Sequence, residues 1–219
     1  VALPVANRFG FGAESRYLPD RRDLNRSFPG TTRGPLAGRL ARLFVDKVLS
    51  VTDFGIDFHA GSDDRINLPQ LRGNLDDPET RRLALAFAPP LVVHSKTIKG
   101  TLRETALKMG KRVLLFEGGE PRRFSPVAVE AGVVGAQRTL HALGMIDASG
   151  LAEPEAPAES RSTKWVRAPR GGIFRLGVEL GGVVSRGDLL CIISGPSGRG
   201  GREVRASVTG MIMGHAVNP

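Results

Sequence analysis

The chain has 219 residues, of which 41% are apolar and 24% charged. This is the mixture of a folded globular protein, with room for one ordinary domain and a small second one. Its uncharged apolar stretches fall well short of the ~20 residues a membrane helix needs, and its one cysteine, Cys191, excludes an internal disulfide or a thiolate metal cluster. The net charge of +9 admits an anionic partner. The basic residues, however, are mostly arginines scattered in pairs such as Arg21-Arg22, Arg81-Arg82 and Arg122-Arg123, and aromatic residues are few. Neither a phosphate-tracking run nor a base-stacking surface is expected. Nucleic acid and membrane are therefore set aside as partners, in favour of a positive pocket for a small carboxylate-bearing molecule.

In chain order, Val1 to Val5 reads as a buried strand with no initiator methionine before it. The final Ala-Val-Asn-Pro stops inside a turn-like phrase, so both ends read as cut. Residues 7–35, rich in Gly, Pro, Asn and Arg, lack any apolar period and read as an extended loop. From Gly38, the three-and-four spacing of Leu40, Leu43, Phe44 and Val48 predicts an amphipathic helix, and Asp53 to Phe58 a short strand. His59 to Asp77 reads as a polar loop. Asp77-Pro78 supplies an N-cap and a first-turn proline for a helix through Phe87, Leu91 to His94 is a strand, and Thr101-x-x-Glu104 opens a helix that ends at Gly110. Val113 to Phe116 is an apolar run of buried-strand type. Ser125-Pro126 then starts a helix to Leu143, with Gly144 behind it. The alternation of strand and helix predicts an α/β layered domain with a mostly parallel sheet.

After Asp147 the composition turns to Ala, Glu, Pro and Ser, which predicts a linker over residues 148–163. Residues 164–219 are glycine-rich with short Val/Ile runs, and Ala168-x-x-x-Gly172-Ile173 is echoed by Ala206-x-x-x-Gly210-Met211-Ile212. Two half-repeats predict a small all-β barrel or sandwich. Its shape resembles biotinyl or lipoyl carrier domains, but no lysine follows Lys164, so a cofactor would have no attachment point. The expected organisation is thus a domain at 1–147, a linker at 148–163 and a β domain at 164–219.

In parallel α/β sheets ligands collect at the carboxyl ends of strands, and two chemically capable residues fall there. His59 follows Phe58, and Glu117 follows Phe116 with Gly118-Gly119 behind it. An imidazole at such a position can ligate a metal, and a carboxylate can act as general base. By spacing alone, each can equally be a hydrogen-bonded structural residue. The loop adds Arg16-Tyr17 and Asp23-Leu24-Asn25-Arg26, where arginine's planar fork and a neighbouring amide suit a carboxylate.

The run RYLPDRRDLNRSFPG, followed in order by GIDFHAG, LVVHS, GTLRE and LLFEGGE, resembles the succinylglutamate desuccinylase/aspartoacylase family, a branch of the zinc carboxypeptidase-like hydrolases. The resemblance covers about residues 1 to 147, and the small β domain is similar to one these deacylases append. It implies a zinc-carboxypeptidase-like layered fold, a Zn2+ cofactor and cytoplasmic hydrolysis of a small N-acylated amino acid, with homo-oligomers possible. In its terms His59 is a zinc ligand and Glu117 the residue that activates water and protonates the leaving amine. Arg16 polarises the scissile carbonyl, Asn25 and Arg26 hold the substrate carboxylate, Arg103 is a second carboxylate contact, and Asp23 orients a metal-binding histidine. Two extra residues separate Arg16 from Asn25 relative to aspartoacylase. The family's upstream His-x-x-Glu zinc pair has no counterpart here, which is expected if the sequence is truncated, and the stretch alone is then expected to bind zinc poorly and to be inactive. The subgroup phrases resemble bacterial deacylases that include N-acetyl-diaminobutyrate deacetylases. A zinc carboxypeptidase acting on peptides, or a metal-free carboxylate-binding protein, are the alternatives.

Overall fold

In a computed structural model, residues 1–62, 64–147 and 150–217 are described. Val1 to Val5, expected as a buried strand, is exposed and forms no strand. The loop expected at 7–35 contains a short helix, α1 (Arg8–Gly12), capped by the Asn7 side chain, and a 3-10 turn over Leu24–Arg26 capped by Asp23. Helix α2 (Leu36–Lys47) buries Ala37, Ala41 and Val45, and strand β1 (Phe54–His59) follows.

The stretch expected as a polar loop instead holds the nine-residue strand β2 (Arg65–Gly73). Then come α3 (Pro78–Phe87), β3 (Leu91–His94), α4 (Leu102–Lys108), β4 (Arg112–Gly119) and α5 (Pro126–Ala142). Three of these helices begin where the sequence places them, with Asp77, Thr101 and Ser125 each accepting a backbone N–H of the first turn.

The main sheet runs β1-β4-β2-β3, with β1 on one edge. Pairs β1/β4 and β2/β3 are parallel, whereas β2/β4 is antiparallel. Alternation along β4 divides two cores. Leu114 and Phe116 pack with Leu71, Leu83 and Phe87 on the side of α3 and α5, while Val113 packs with Leu24, Ala41, Leu102 and Ala106 on the side of α2 and α4. Glu117 keeps step with Val113, so it belongs to the α2/α4 face.

The segment expected as a linker supplies β5 (Ala158–Ser160), which pairs in parallel with β3 and extends the sheet. The glycine-rich region contains β6 (Ile173–Leu176), β7 (Val183–Val184), β8 (Leu189–Ser194), β9 (Arg202–Arg205), β10 (Gly210–Met211) and β11 (Gly214–Ala216). They form an antiparallel sheet β6-β8-β9 around Cys191, Ile193 and Val204, and a ribbon β7/β10. Strand β11 leaves this region to pair with β2 of the main sheet. The fold is therefore mixed α/β with a mostly parallel sheet and small antiparallel sheets. Among the described residues no helix is long and apolar enough to cross a membrane.

Candidate functional site

Parallel pairing of β1 with β4 sets His59, the last residue of β1, directly beside Glu117, two residues before the end of β4. Residues in register on adjacent strands share a face, so the imidazole and the carboxylate sit together on the α2/α4 side. Asp57, two residues back on β1, shares that face and places Oδ2 3.0 Å from Nε2 of His59. With Nε2–H donated to Asp57, Nδ1 carries the ring's lone pair, the arrangement of an oriented metal-binding imidazole. Burial of His59 disfavours its charge, but the hydrogen bond to Asp57 and the charges of Asp57 and Glu117 outweigh it, so its pKa lies above the ordinary value.

Glu117 is held from its other side by Asn67 of β2, whose Nδ2 donates to Oε2 at 3.0 Å. Gln70 of β2 is in register with Glu117 and fully buried, yet neither polar atom of its amide has a partner in the structure.

An open groove of about 1630 Å³ is lined by Arg16, Asn25, Asp57, Phe58 and His59 and by Val133 of α5, with Phe116 and Gly118 of β4 on its wall and Glu117 between them not part of it. The loop side chains on this wall are tied down. Arg16 donates Nε to Asp23 Oδ2 at 2.9 Å. Asn25 Oδ1 accepts the N–H of Leu102 at 2.9 Å, so the loop caps α4 and only the amide nitrogen of Asn25 can still donate to a ligand.

Three of the expected residues have other partners in this structure. Asp23 touches none of the described histidines: its oxygens are used by Arg16 and the Asn25 N–H, and the carboxylate beside the His59 imidazole is Asp57. Arg26 is exposed, turns Nη1 back onto the Asn25 carbonyl at 2.7 Å and does not line the groove, because consecutive residues of a 3-10 turn point in different directions. Arg103 is buried on α4 and is absent from the groove wall. Its Nη2 donates to Ser95 O, Ser95 Oγ and Lys96 O, while Nη1 has no partner. Burial, then the nearby Arg72 guanidinium, pull its pKa below the ordinary arginine value, with Asp57 opposing.

The other histidines have structural surroundings. Nδ1 of His94 accepts from Leu75 N at 3.3 Å, and Nδ1 of His141 and of His215 lie against backbone carbonyls. Asn67 and Gln70 escaped the sequence reading because β2 did. Asp57 stood in plain view in the Asp-x-His phrase.

The catalytic-domain model of the succinylglutamate desuccinylase/aspartoacylase family matches residues 1–143. The chain belongs to that family. The N-alpha-acetyl-L-2,4-diaminobutyric acid deacetylase of Halomonas elongata is 26% identical over 202 residues, covering 87% of this chain and 59% of the relative. The chain thus spans less than two thirds of that relative's length. Among solved structures, the product-bound ectoine utilization protein EutE (DoeB) of Ruegeria pomeroyi is 25% identical with a TM-score of 0.85, over 97% of this chain and 68% of the other. A succinylglutamate desuccinylase/aspartoacylase of Rhodobacter sphaeroides matches at 25% identity and a TM-score of 0.85, over 99% and 69% of the two chains.

The family is zinc-dependent in general, and a catalytic zinc takes three protein donors. Among the described residues no group of three His, Cys, Asp or Glu side chains could hold a metal. His59 with Asp57 behind it is one oriented donor, and the residues present do not by themselves fit the ion.

Proposed function

We propose that this chain forms part of a hydrolase that removes the acyl group from an N-acylated amino acid or similar small amide. The observation that carries the reading is the register of His59 and Glu117 on neighbouring parallel strands, beside a groove whose wall includes Arg16 and Asn25. In this reading Glu117 takes a proton from the attacking water and returns it to the leaving amine. Arg16, held by Asp23, faces the developing charge on the carbonyl oxygen, and the Asn25 amide nitrogen contributes to substrate binding. The activity is proposed to be zinc-dependent in the whole protein, with His59 as one donor. The relatives favour a small acylated amino acid, such as N-acetyl-L-2,4-diaminobutyrate, as substrate.

The test is turnover by the full-length protein on N-acetyl-L-2,4-diaminobutyrate and N-succinyl-L-glutamate, with and without Glu117→Gln. Loss of about 10²–10⁴-fold in kcat with the fold intact is expected for removal of a general base. Undiminished turnover in the variant removes Glu117 from the mechanism.

A further inference from the structure

Glu117 is gripped by a residue to which the proposed chemistry gives no role. Asn67 opposes Gly119 and Gln70 opposes Glu117, so β2 takes three steps where β4 takes two. The bulge at Leu68-Pro69 absorbs the extra residue and puts Asn67 and Gln70 on the same face as Glu117, which strict alternation would forbid. Asn67 can therefore reach across and donate to Glu117 Oε2. The proline suits this place, since it has no N–H to give to a ladder.

The far flank of β2 is covered by β11. Gly214 is the cross-strand partner of Asn67, and Leu68 N–H donates to the Met213 carbonyl at 3.0 Å. A Cβ on Gly214 would stand 2.8 Å from Asn67 Oδ1 and 2.9 Å from the Ile66 carbonyl. The missing side chain at Gly214 is thus the space that lets Asn67 lie as it does.

We infer that Asn67 is a positioning residue for Glu117, and that β11, through Gly214, holds Asn67 in place, so β11 bears on the carboxylate that moves the proton. The inference rests on the proton-transfer role proposed for Glu117. The amide is chemically apt: it fixes one carboxylate oxygen without adding a counter-charge, leaving Oε1 to meet the water. The β2/β4 backbone ladder already joins the two strands, so the side-chain bond is not needed for pairing. Displacing a reacting group by about 1 Å can cost on the order of 10²-fold in rate.

The experiment uses the full-length protein and N-acetyl-L-2,4-diaminobutyrate. Asn67→Ala and Gly214→Ala should each lower kcat roughly 10- to 100-fold while KM stays within about two-fold, as expected when only reacting-group geometry is disturbed. The double variant should be no slower than the slower single variant, because Gly214 acts through Asn67. His215→Ala, the next residue on β11, should match the parent. Independently of turnover, the side-chain amide protons of Asn67 in a 15N–1H spectrum should move on Glu117→Gln and on Gly214→Ala, and stay put on His215→Ala. Asn67→Leu keeps the volume and removes the donor, which decides the matter if the alanine variant does not fold. Parent-like kcat in the folded Asn67 variants, alongside an inactive Glu117→Gln, overturns the inference and spares the assignment of Glu117. Full activity in Glu117→Gln overturns both. Multiplicative losses in the double variant overturn the link through β11.

Discussion

Asp57 and His59 face the same way from one strand, with a carboxylate oxygen and a ring nitrogen 3.0 Å apart. Burial pulls the imidazole's pKa down, but the Asp57 bond and the charges of Asp57 and Glu117 outweigh it, so the pKa lies above the ordinary histidine value. A raised histidine pKa stabilises the fold fully below the unfolded value, and that contribution is lost as pH rises through the folded one. Asp57→Asn keeps a hydrogen-bonding partner and discards the charge. In metal-free protein its Tm deficit relative to the parent should be larger at about pH 5.5 than at about pH 8.5. Thermal unfolding at the two pH values checks this, and an equal deficit at both contradicts it.

Asp77 performs two tasks at the start of α3. It accepts from Thr80 N at 2.8 Å as N-cap, and grips Arg112 through both oxygens at 2.7 and 3.0 Å. The Arg112 guanidinium first, then the Thr80 hydroxyl, hold its carboxyl far below the usual range. A depressed carboxylate pKa gives stability present above the unfolded value and lost as pH falls through the folded one. Asp77→Ala should cost about 1–2 kcal/mol near neutral pH. Asp77→Asn, which preserves the cap, should cost less, and its deficit should shrink below pH ~4. Urea unfolding across that range measures both.

Gly135 lies in the middle of α5 where the helix crosses α3, and a Cβ there would overlap the Phe87 ring. Alanine in a helix interior normally gains about 1 kcal/mol over glycine. Here Gly135→Ala should instead destabilise by about 1–3 kcal/mol through overpacking. Equilibrium denaturation decides the sign.

Gln70 is fully buried with an amide that has no partner in the structure. Burying such a group costs about 1–3 kcal/mol, so Gln70→Met, similar in length and apolar, should raise Tm. A fall in Tm would show that the amide is satisfied in the folded protein.

Much of the layered core was legible because its signals are local. Asp77-Pro78, Thr101-x-x-Glu104 and Ser125-Pro126 announce helices that need nothing distant to define their starts. Strand β2 was hidden for the reason that makes it interesting. Asn67, Gln70 and Arg72 occupy positions where a structural strand would carry apolar residues, and Pro69 with its bulge breaks the remaining alternation. A strand that presents polar groups to a site reads as a loop. Strand β5 has no apolar residue beyond Ala158, and is a strand because the edge of β3 offers it hydrogen bonds. His59 and Glu117 were singled out because ligands collect at the carboxyl ends of parallel strands; the register sets the two side by side, although β4 continues two residues past Glu117. The fate of Arg26 turned on the backbone direction of a short turn, which adjacency to Asn25 does not specify.

The pairing of residues 65–67 with 214–216 closes a loop of roughly 150 residues. Loop-closure entropy for such a span is about 4 kcal/mol, against a few tenths more or less for any modest change in its length. Three residue pairs cannot offset that from an unfolded chain, so β11 must dock after the intervening elements have collapsed and shortened the effective span. The interior strands are therefore expected to pair first, with β11 joining β2 afterwards. In native-state hydrogen exchange the Leu68 amide, bonded to Met213, should therefore open before the amides shared by β2 and β4.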